Sequence, residues 1–167
     1  SMPYYHFSEH TDPYLHFAEE EKLLKDQEIP CAMMLYCNVP CICFARESAS
    51  GDARLCAMLE SSGVLPVRRQ SGGAPFFGGQ GMLGFAFVAQ DGVLSLETQF
   101  SIIRRALLAL DLPSIPGEEG LTVSGKRFLH SALLREGSRL LHHGTLFFDR
   151  NLPAPPEEYA PLRETNP

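Results

Sequence analysis

Arg68-Arg69-Gln70-Ser71-Gly72-Gly73 is the stretch on which the fold turns. Two adjacent guanidinium groups stand directly before a serine and paired glycines. Glycine carries no Cβ, so its backbone N–H can come close to a ligand, and arginine brings a planar fork of donors suited to phosphate or carboxylate oxygens. The combination predicts a loop that receives a phosphate or another oxyanion. Further along, Leu141-His142-His143-Gly144-Thr145-Leu146 reads as a strand whose glycine lets something approach it closely. Between the two lies Ser124-Gly125-Lys126-Arg127, a short basic stretch at a turn-to-strand junction.

Composition narrows the class. A chain of 167 residues is one domain, large enough to bury a core without covalent staples. Apolar residues make up 44% and charged residues 20%, as in soluble globular proteins. The net charge of −6, with no basic run, argues against nucleic acid as a partner, because phosphate neutralisation needs clustered Lys and Arg. The longest apolar stretches, such as residues 82–89, are too short to span a membrane. The opening Met2-Pro3-Tyr4-Tyr5-His6-Phe7 has neither the charge nor the apolar core of a signal peptide. The five cysteines, an odd number, then read as reduced thiols of a cytoplasmic protein. Cys37, Cys41 and Cys43 invite a metal reading. Cys41 and Cys43, however, alternate in a β-rich run where same-face thiols act as small buried hydrophobes, and no second cluster completes a zinc-like set. No metal site is expected.

The order of elements is mixed. Residues 4–7 read as a strand. Asp12 is an N-cap with Pro13 at the first helical position, and the helix it opens places Tyr14, Leu15, Phe17, Ala18 and Leu24 on its apolar side. Residues 31–36 and 40–45 read as strands. Residues 52–62 form a helix closed by Gly63, and residues 64–69 a strand leading into the glycine loop. Phe76-Phe77 and residues 83–88 suggest a hairpin around Gly78-Gly79-Gln80-Gly81. A second long helix spans residues 94–110, with Leu96, Phe100, Ile103, Leu107 and Leu110 at helical spacing. Residues 112–119 read as a loop and residues 48–51 as another. Residues 121–124, 127–133 and 140–149 complete the β content. Strands and helices do not alternate strictly, so the class is α+β, with residues 1–152 as a single domain and residues 153–167 as an exposed Pro/Glu-rich tail.

In this order the glycine loop, the basic stretch and the double-histidine strand resemble the lipoate–protein ligase A family of the biotin/lipoate ligase superfamily. Asp12-Pro13-Tyr14-Leu15 through Glu19-Glu20 is similar to its opening helix, Arg68 to Ala74 to its arginine-arginine-x-serine-glycine-glycine-glycine loop, and Gly81 to Phe87 to its hairpin. The resemblance implies a class II synthetase-like domain, a mixed and mainly antiparallel sheet flanked by helices. It implies an enzyme that activates lipoate or octanoate with ATP and Mg2+ as an acyl-adenylate. The acyl group then passes to a lysine of a lipoyl domain or of a glycine-cleavage H protein. Such a mixed anhydride must be kept dry and its phosphate met by fixed donors. Arg69, Ser71, Gly72, Gly73 and Ala74, with Phe77, His143 and Gly144, are the implied binding residues. Phe76, Phe77, Phe85 and Phe87 are candidates for an acyl slot, and equally for plain core.

The chain also departs from the family pattern. The family lysine that contacts acyl carbonyl and phosphate falls on Arg127, which keeps the charge but cannot be deprotonated. Lys126 is its neighbour on the strand and points to the other face unless a bulge turns it. Ala74-Pro75 stands where the family has its third glycine and an alanine, Gly78-Gly79 replaces a histidine-aspartate pair, Met82 and Gly84 replace two asparagines, and His130 replaces a glycine. Three readings stay open: a ligase for lipoate, octanoate or another short acid; a non-catalytic homologue that binds an acyl ligand or a lipoyl-domain partner; and a cysteine-dependent octanoyltransferase. The last is the weakest, since no cysteine follows Cys56.

Overall fold

The computed structural model describes residues 3–47, 53–111, 114–117, 120–123 and 126–148, and the backbone alone within 115–127. In chain order the elements are β1 (Tyr4–Phe7), α1 (Pro13–Lys25), β2 (Cys31–Tyr36), β3 (Cys41–Phe44), α2 (Ala53–Ser61), β4 (Leu65–Arg68), β5 (Phe76–Gly78) and β6 (Met82–Gln90). There follow α3 (Leu96–Ala109), β7 (Ile115–Gly117), β8 (Gly120–Val123), β9 (Lys126–Arg127), β10 (Leu129–Glu136) and β11 (Arg139–Phe147). The loop expected at 48–51 and the tail at 153–167 lie outside the described residues. Among the described residues no helix is long and apolar enough to cross a membrane.

Five strands form the main sheet in the order β1-β2-β6-β11-β10. The β1–β2 pair is parallel, because α1 carries the chain back between them, and the other pairs are antiparallel. Side chains alternate across a strand, and here both faces are covered. Ala32, Met34, Tyr36, Ala86, Val88 and Leu141 point to Leu23 and Leu24 of α1. The residues between them, Met33, Leu35, Phe85 and Phe87, point to Ile103 and Leu107 of α3. A smaller sheet, β4-β3-β5, sits on the α1 side. Its Ile42 and Phe44 pack beneath Leu59 of α2, while Cys41, Cys43, Val67 and Phe76 turn toward Phe17 of α1 and Ala132 of β10. A third antiparallel set, β7-β8-β9, leads through Phe128 into β10.

The α+β class holds, and four local expectations are corrected. The hairpin around Gly78 does not form: β5 pairs with β3 in the small sheet, and β6 belongs to the main one. Gly79 (φ 144°) and Gly81 (φ 78°) turn the chain from one to the other, and a Cβ on Gly78 would lie 2.6 Å from the Cys41 sulfur. The stretch read as a loop at 112–119 contains β7. The strand read over 127–133 breaks at Phe128. On α1 the buried stripe is Pro13, His16, Glu20, Leu23 and Leu24, while Tyr14 and Leu15 are 53% and 46% exposed. Polar groups have displaced apolar ones from the inner face of that helix. The helix caps follow expectation, with Asp12 accepting from the Tyr14 N–H at 2.9 Å and Gly63 (φ 77°) following α2.

Arg139, at the start of β11, is buried and staples α1 to the sheet. Its Nε donates to the Leu24 carbonyl at 2.7 Å, and its two terminal nitrogens donate to Leu23 and Ile29 carbonyls at 2.8 Å. The Leu23 carbonyl also accepts from the Asp26 N–H at 3.3 Å, but those of Leu24 and Ile29, at the end of α1 and in the turn beyond it, depend on Arg139 among the described residues. Replacing Arg139 with Met is expected to strand the Leu24 and Ile29 carbonyls and to cost about 3 kcal/mol of stability. A urea melt checks this, and an unchanged midpoint contradicts it.

Candidate functional site

The glycine loop is built around one buried cation. Strand β4 ends at Arg68, the Arg69 N–H bonds to the Phe44 carbonyl, and the Arg69 side chain turns inward. Its Nε donates to Ser71 Oγ at 2.9 Å and one terminal nitrogen to the Cys43 carbonyl at 2.6 Å. The other terminal nitrogen donates to Gly72 and Ala74 carbonyls at 2.8 and 2.6 Å. The guanidinium also lies over the Phe76 ring, 3.9 Å from its centroid. Burial pushes its pKa down to about 10. Arg69 therefore folds the loop from inside, gathering carbonyls so that the opposite edge of the backbone faces outward. Gly73 (φ 97°) makes the turn this needs.

A second set of buried groups meets this loop from the main sheet. Ser71 Oγ lies 2.5 Å from His143 Nε2, and His143 Nδ1 lies 2.7 Å from Glu20 Oε2. Glu20 Oε1 accepts from the Tyr36 hydroxyl at 2.7 Å. Tyr36 lies flat across Gly84, where a Cβ would collide with its ring, and stacks on His16 at 4.4 Å. His16 is held in turn by Asn38 and Ser8. All of Glu20, Tyr36, Arg69, Ser71 and His143 are buried. His143 packs edge-on against Phe17 and Phe76.

What remains for a ligand is backbone and a cleft. A Cβ built on Gly72 meets nothing within 4 Å, so that residue borders open space. Among the described residues no backbone carbonyl accepts from the N–H groups of Gly72 and Gly73. Beside His143 runs a narrow cleft, partly open to solvent, lined by Phe17, Leu24, Leu134 and Leu141 together with Gln70 and the carboxylates Glu20, Glu21 and Glu136. Loop N–H groups, with Gln70 of the same loop on a cleft that has apolar walls, suit a ligand with an anionic head and an apolar tail.

The structure thus brings Arg69, Ser71, Gly72, Gly73, Ala74 and His143 together. Gly144 joins them by sequence but has a packing task, since a Cβ there would collide with the His130 carbonyl of β10. The close approach its sequence suggests is that of the neighbouring strand. Phe77 packs on the α2 face of the small sheet, and it is Phe76 that reaches Arg69 and His143. Phe85 and Phe87 belong to the α3-side core, on the far side of the main sheet. The backbone of Lys126 and Arg127 forms β9, and their side chains lie outside the described residues. Sequence reasoning missed Glu20, Tyr36 and His16 as part of the site. One signal was present: His16, Glu20 and Leu23-Leu24 recur at helical spacing, so two polar residues share the stripe of two leucines.

This α+β arrangement matches structures of lipoate ligase catalytic domains. A sequence profile of the Lipoyl protein ligase A/B catalytic domain covers residues 12–164, and the chain belongs to that family. Over 144 residues it is 27% identical to lipoate-protein ligase LplJ of Bacillus subtilis, which is 83% of this chain and 44% of that protein. The fold superposes with a TM-score of 0.77 on LipL1 of P. falciparum in complex with lipoate, at 20% identity, over 90% of this chain and 49% of that one. It superposes at 0.72 on a bi-partite lipoate protein ligase from Thermoplasma acidophilum, at 17% identity, over 98% of this chain and 71% of that one. At such identities the structural matches speak for the fold alone. The chain spans less than half the length of the sequence relatives it matches.

His142 faces away from the site, as expected of neighbours on a strand. It lies among Phe85, Phe87 and Phe100, with Nδ1 3.0 Å from the Gln99 side-chain oxygen. Burial, and secondarily the neighbouring His143, pushes its pKa down to about 4. The folded ring refuses a proton that the unfolded chain accepts near pH 6.5, so its contribution is intact above that pH and is lost as pH falls toward 4. The loss is on the order of 3 kcal/mol. Urea midpoints at pH 7.5 and 5 should differ less for His142→Gln than for the parent, and an equal difference in both would contradict this assignment.

Proposed function

We propose that the chain is the catalytic part of a lipoate or octanoate–protein ligase, forming an acyl-adenylate and passing the acyl group to a lysine of a lipoyl domain or H protein. The observation that carries the reading is the glycine loop: Arg69 collects its carbonyls, Gly72 faces open space, and Gln70 lies on a cleft that has apolar walls. A carboxylate does not form an amide with lysine until one oxygen becomes part of a leaving group, and in this family ATP supplies that group. In the proposal the loop N–H groups receive phosphate oxygens, with the buried Arg69 charge behind them. The apolar walls around Phe17 and Leu141 take the medium-chain tail, and Arg127 or Lys126 contacts acyl carbonyl and phosphate. Gly144 keeps β10 tight against the His143 strand, and Phe77 supports the small sheet that carries the loop. Magnesium would enter on the nucleotide's phosphates, where it offsets their charge. The five free cysteines suit a cytoplasmic setting.

A second reading, a binding homologue without turnover, is favoured by arginine at the family's lysine position. The cysteine route has less support. Cys41 and Cys43 are buried with sulfurs 3.8 Å apart, and the hydrogen bond that the Cys43 thiol makes to Cys41, then burial, push its pKa well up from the ordinary value. That is the opposite of an activated nucleophile.

Incubating the protein with ATP, magnesium, lipoate or octanoate and an E2 lipoyl domain should add the acyl mass to the acceptor. Gly72→Asp should fold normally, since its side chain enters open space, yet reduce transfer at least about tenfold by placing a carboxylate where phosphate is received. Modification by Arg127→Lys alone would favour the lapsed-enzyme reading, and equal transfer by Gly72→Asp and the parent would remove the loop from the phosphate site.

A further inference from the structure

Glu20 stands at a position where an ordinary amphipathic helix would carry a leucine. It is buried in the middle of α1, and an unpaired carboxylate there would cost several kcal/mol. Both of its oxygens are engaged, one by the Tyr36 hydroxyl and one by His143 Nδ1. Polar groups meet both ring nitrogens of His143, Glu20 from α1 with Tyr36 of β2 behind it, and Ser71 from the loop with Arg69 behind it, while Phe17 and Phe76 pack against the ring.

The donor inventory orders these hydrogen bonds. Arg69 Nε can only donate, so Ser71 Oγ accepts from it. The Ser71 proton is then free for one acceptor, and His143 Nε2 lies 2.5 Å away. Nε2 accepts only if the ring carries its proton on Nδ1, and a hydrogen there meets the Glu20 carboxylate. With this tautomer each hydrogen in the chain has an acceptor. Among the described residues no other acceptor meets the Ser71 hydroxyl, so a proton on Nε2 would leave its hydrogen without one. The same connectivity activates serine in hydrolases. Here, however, Ser71 is fully buried and its oxygen is held by Arg69, so the serine cannot meet a substrate.

We propose that Glu20 is a positioning residue for the glycine loop: it holds His143 in the Nδ1–H tautomer, which takes the Ser71 proton and thereby fixes which edge of residues 70–74 is offered to an anion. Neither Ser71 nor Arg69 then donates to the ligand, and the backbone does. Only the nucleotide arm of the test below rests on the ligase reading.

The test uses 15N-histidine-labelled protein. The parent should give a protonated-type resonance for His143 Nδ1 and a bare, pyridine-type resonance for Nε2. The reverse pattern, or an imidazolium, overturns the proposal without any variant being made. Glu20→Met should move the proton to Nε2, speed amide exchange in residues 70–74, and weaken binding of inorganic pyrophosphate and of ATP about tenfold. Glu20→Gln keeps an acceptor for Nδ1–H and should retain the parent tautomer and bind pyrophosphate within about threefold of the parent. Equal weakening in both variants with no change of tautomer would reduce Glu20 to a packing role and overturn the proposal. Pyrophosphate binding and the tautomer are read without acyl transfer, so a failed ligase assay leaves this result standing, and the reverse also holds.

Discussion

A single run of buried hydrogen bonds, from Arg69 through Ser71 and His143 to Glu20 and Tyr36, joins three elements that would otherwise only touch. Arg69 belongs to the small sheet's loop, His143 to the centre of the main sheet, and Glu20 to the helix lying over both. Removing any one member would leave a buried charge or donor without its partner, so the run is stable as a whole and costly in part. It also explains a feature that apolar packing alone does not. Helix α1 turns His16 and Glu20 inward and leaves Tyr14 and Leu15 in water, because the polar partners below it are already fixed by the strands.

The main sheet lets one strand serve two environments. His142 and His143 are adjacent, yet one lies among phenylalanines beneath α3 and the other in the polar junction beneath α1. Alternation alone produces that division. Phe85 and Phe87 are sorted in the same way, to the face away from the glycine loop, which makes them core. Phe76, on the shorter strand β5, points toward the loop and braces the guanidinium from beneath.

Much of this was legible in the chain. The caps at Asp12 and Gly63, the glycine loop, the α+β class and the opposite facing of the two histidines all follow from local rules, because each depends on neighbours a few residues away. The polar stripe of α1 did not, since Glu20 is buried by groups that lie far from it along the chain. The pairing of β5 also escaped, because a glycine-rich turn between two apolar runs reads as a hairpin whether or not the runs share a sheet. The arginine pair was recognised as cationic, but not that Arg69 spends its donors on the protein. No spacing rule separates an arginine that touches a ligand from one that shapes the backbone touching it.

Arg139 adds a constraint of its own. It begins the strand that carries His143, and it grips the end of the helix that carries Glu20. Helix and strand are thus pinned at two points along their length, and sliding by one residue would unlatch both at once. The segment joining α1 to β2 therefore has a length it cannot change freely. Variation that leaves this register intact falls on the cleft walls, where a side chain can be exchanged without shifting the axis of the helix.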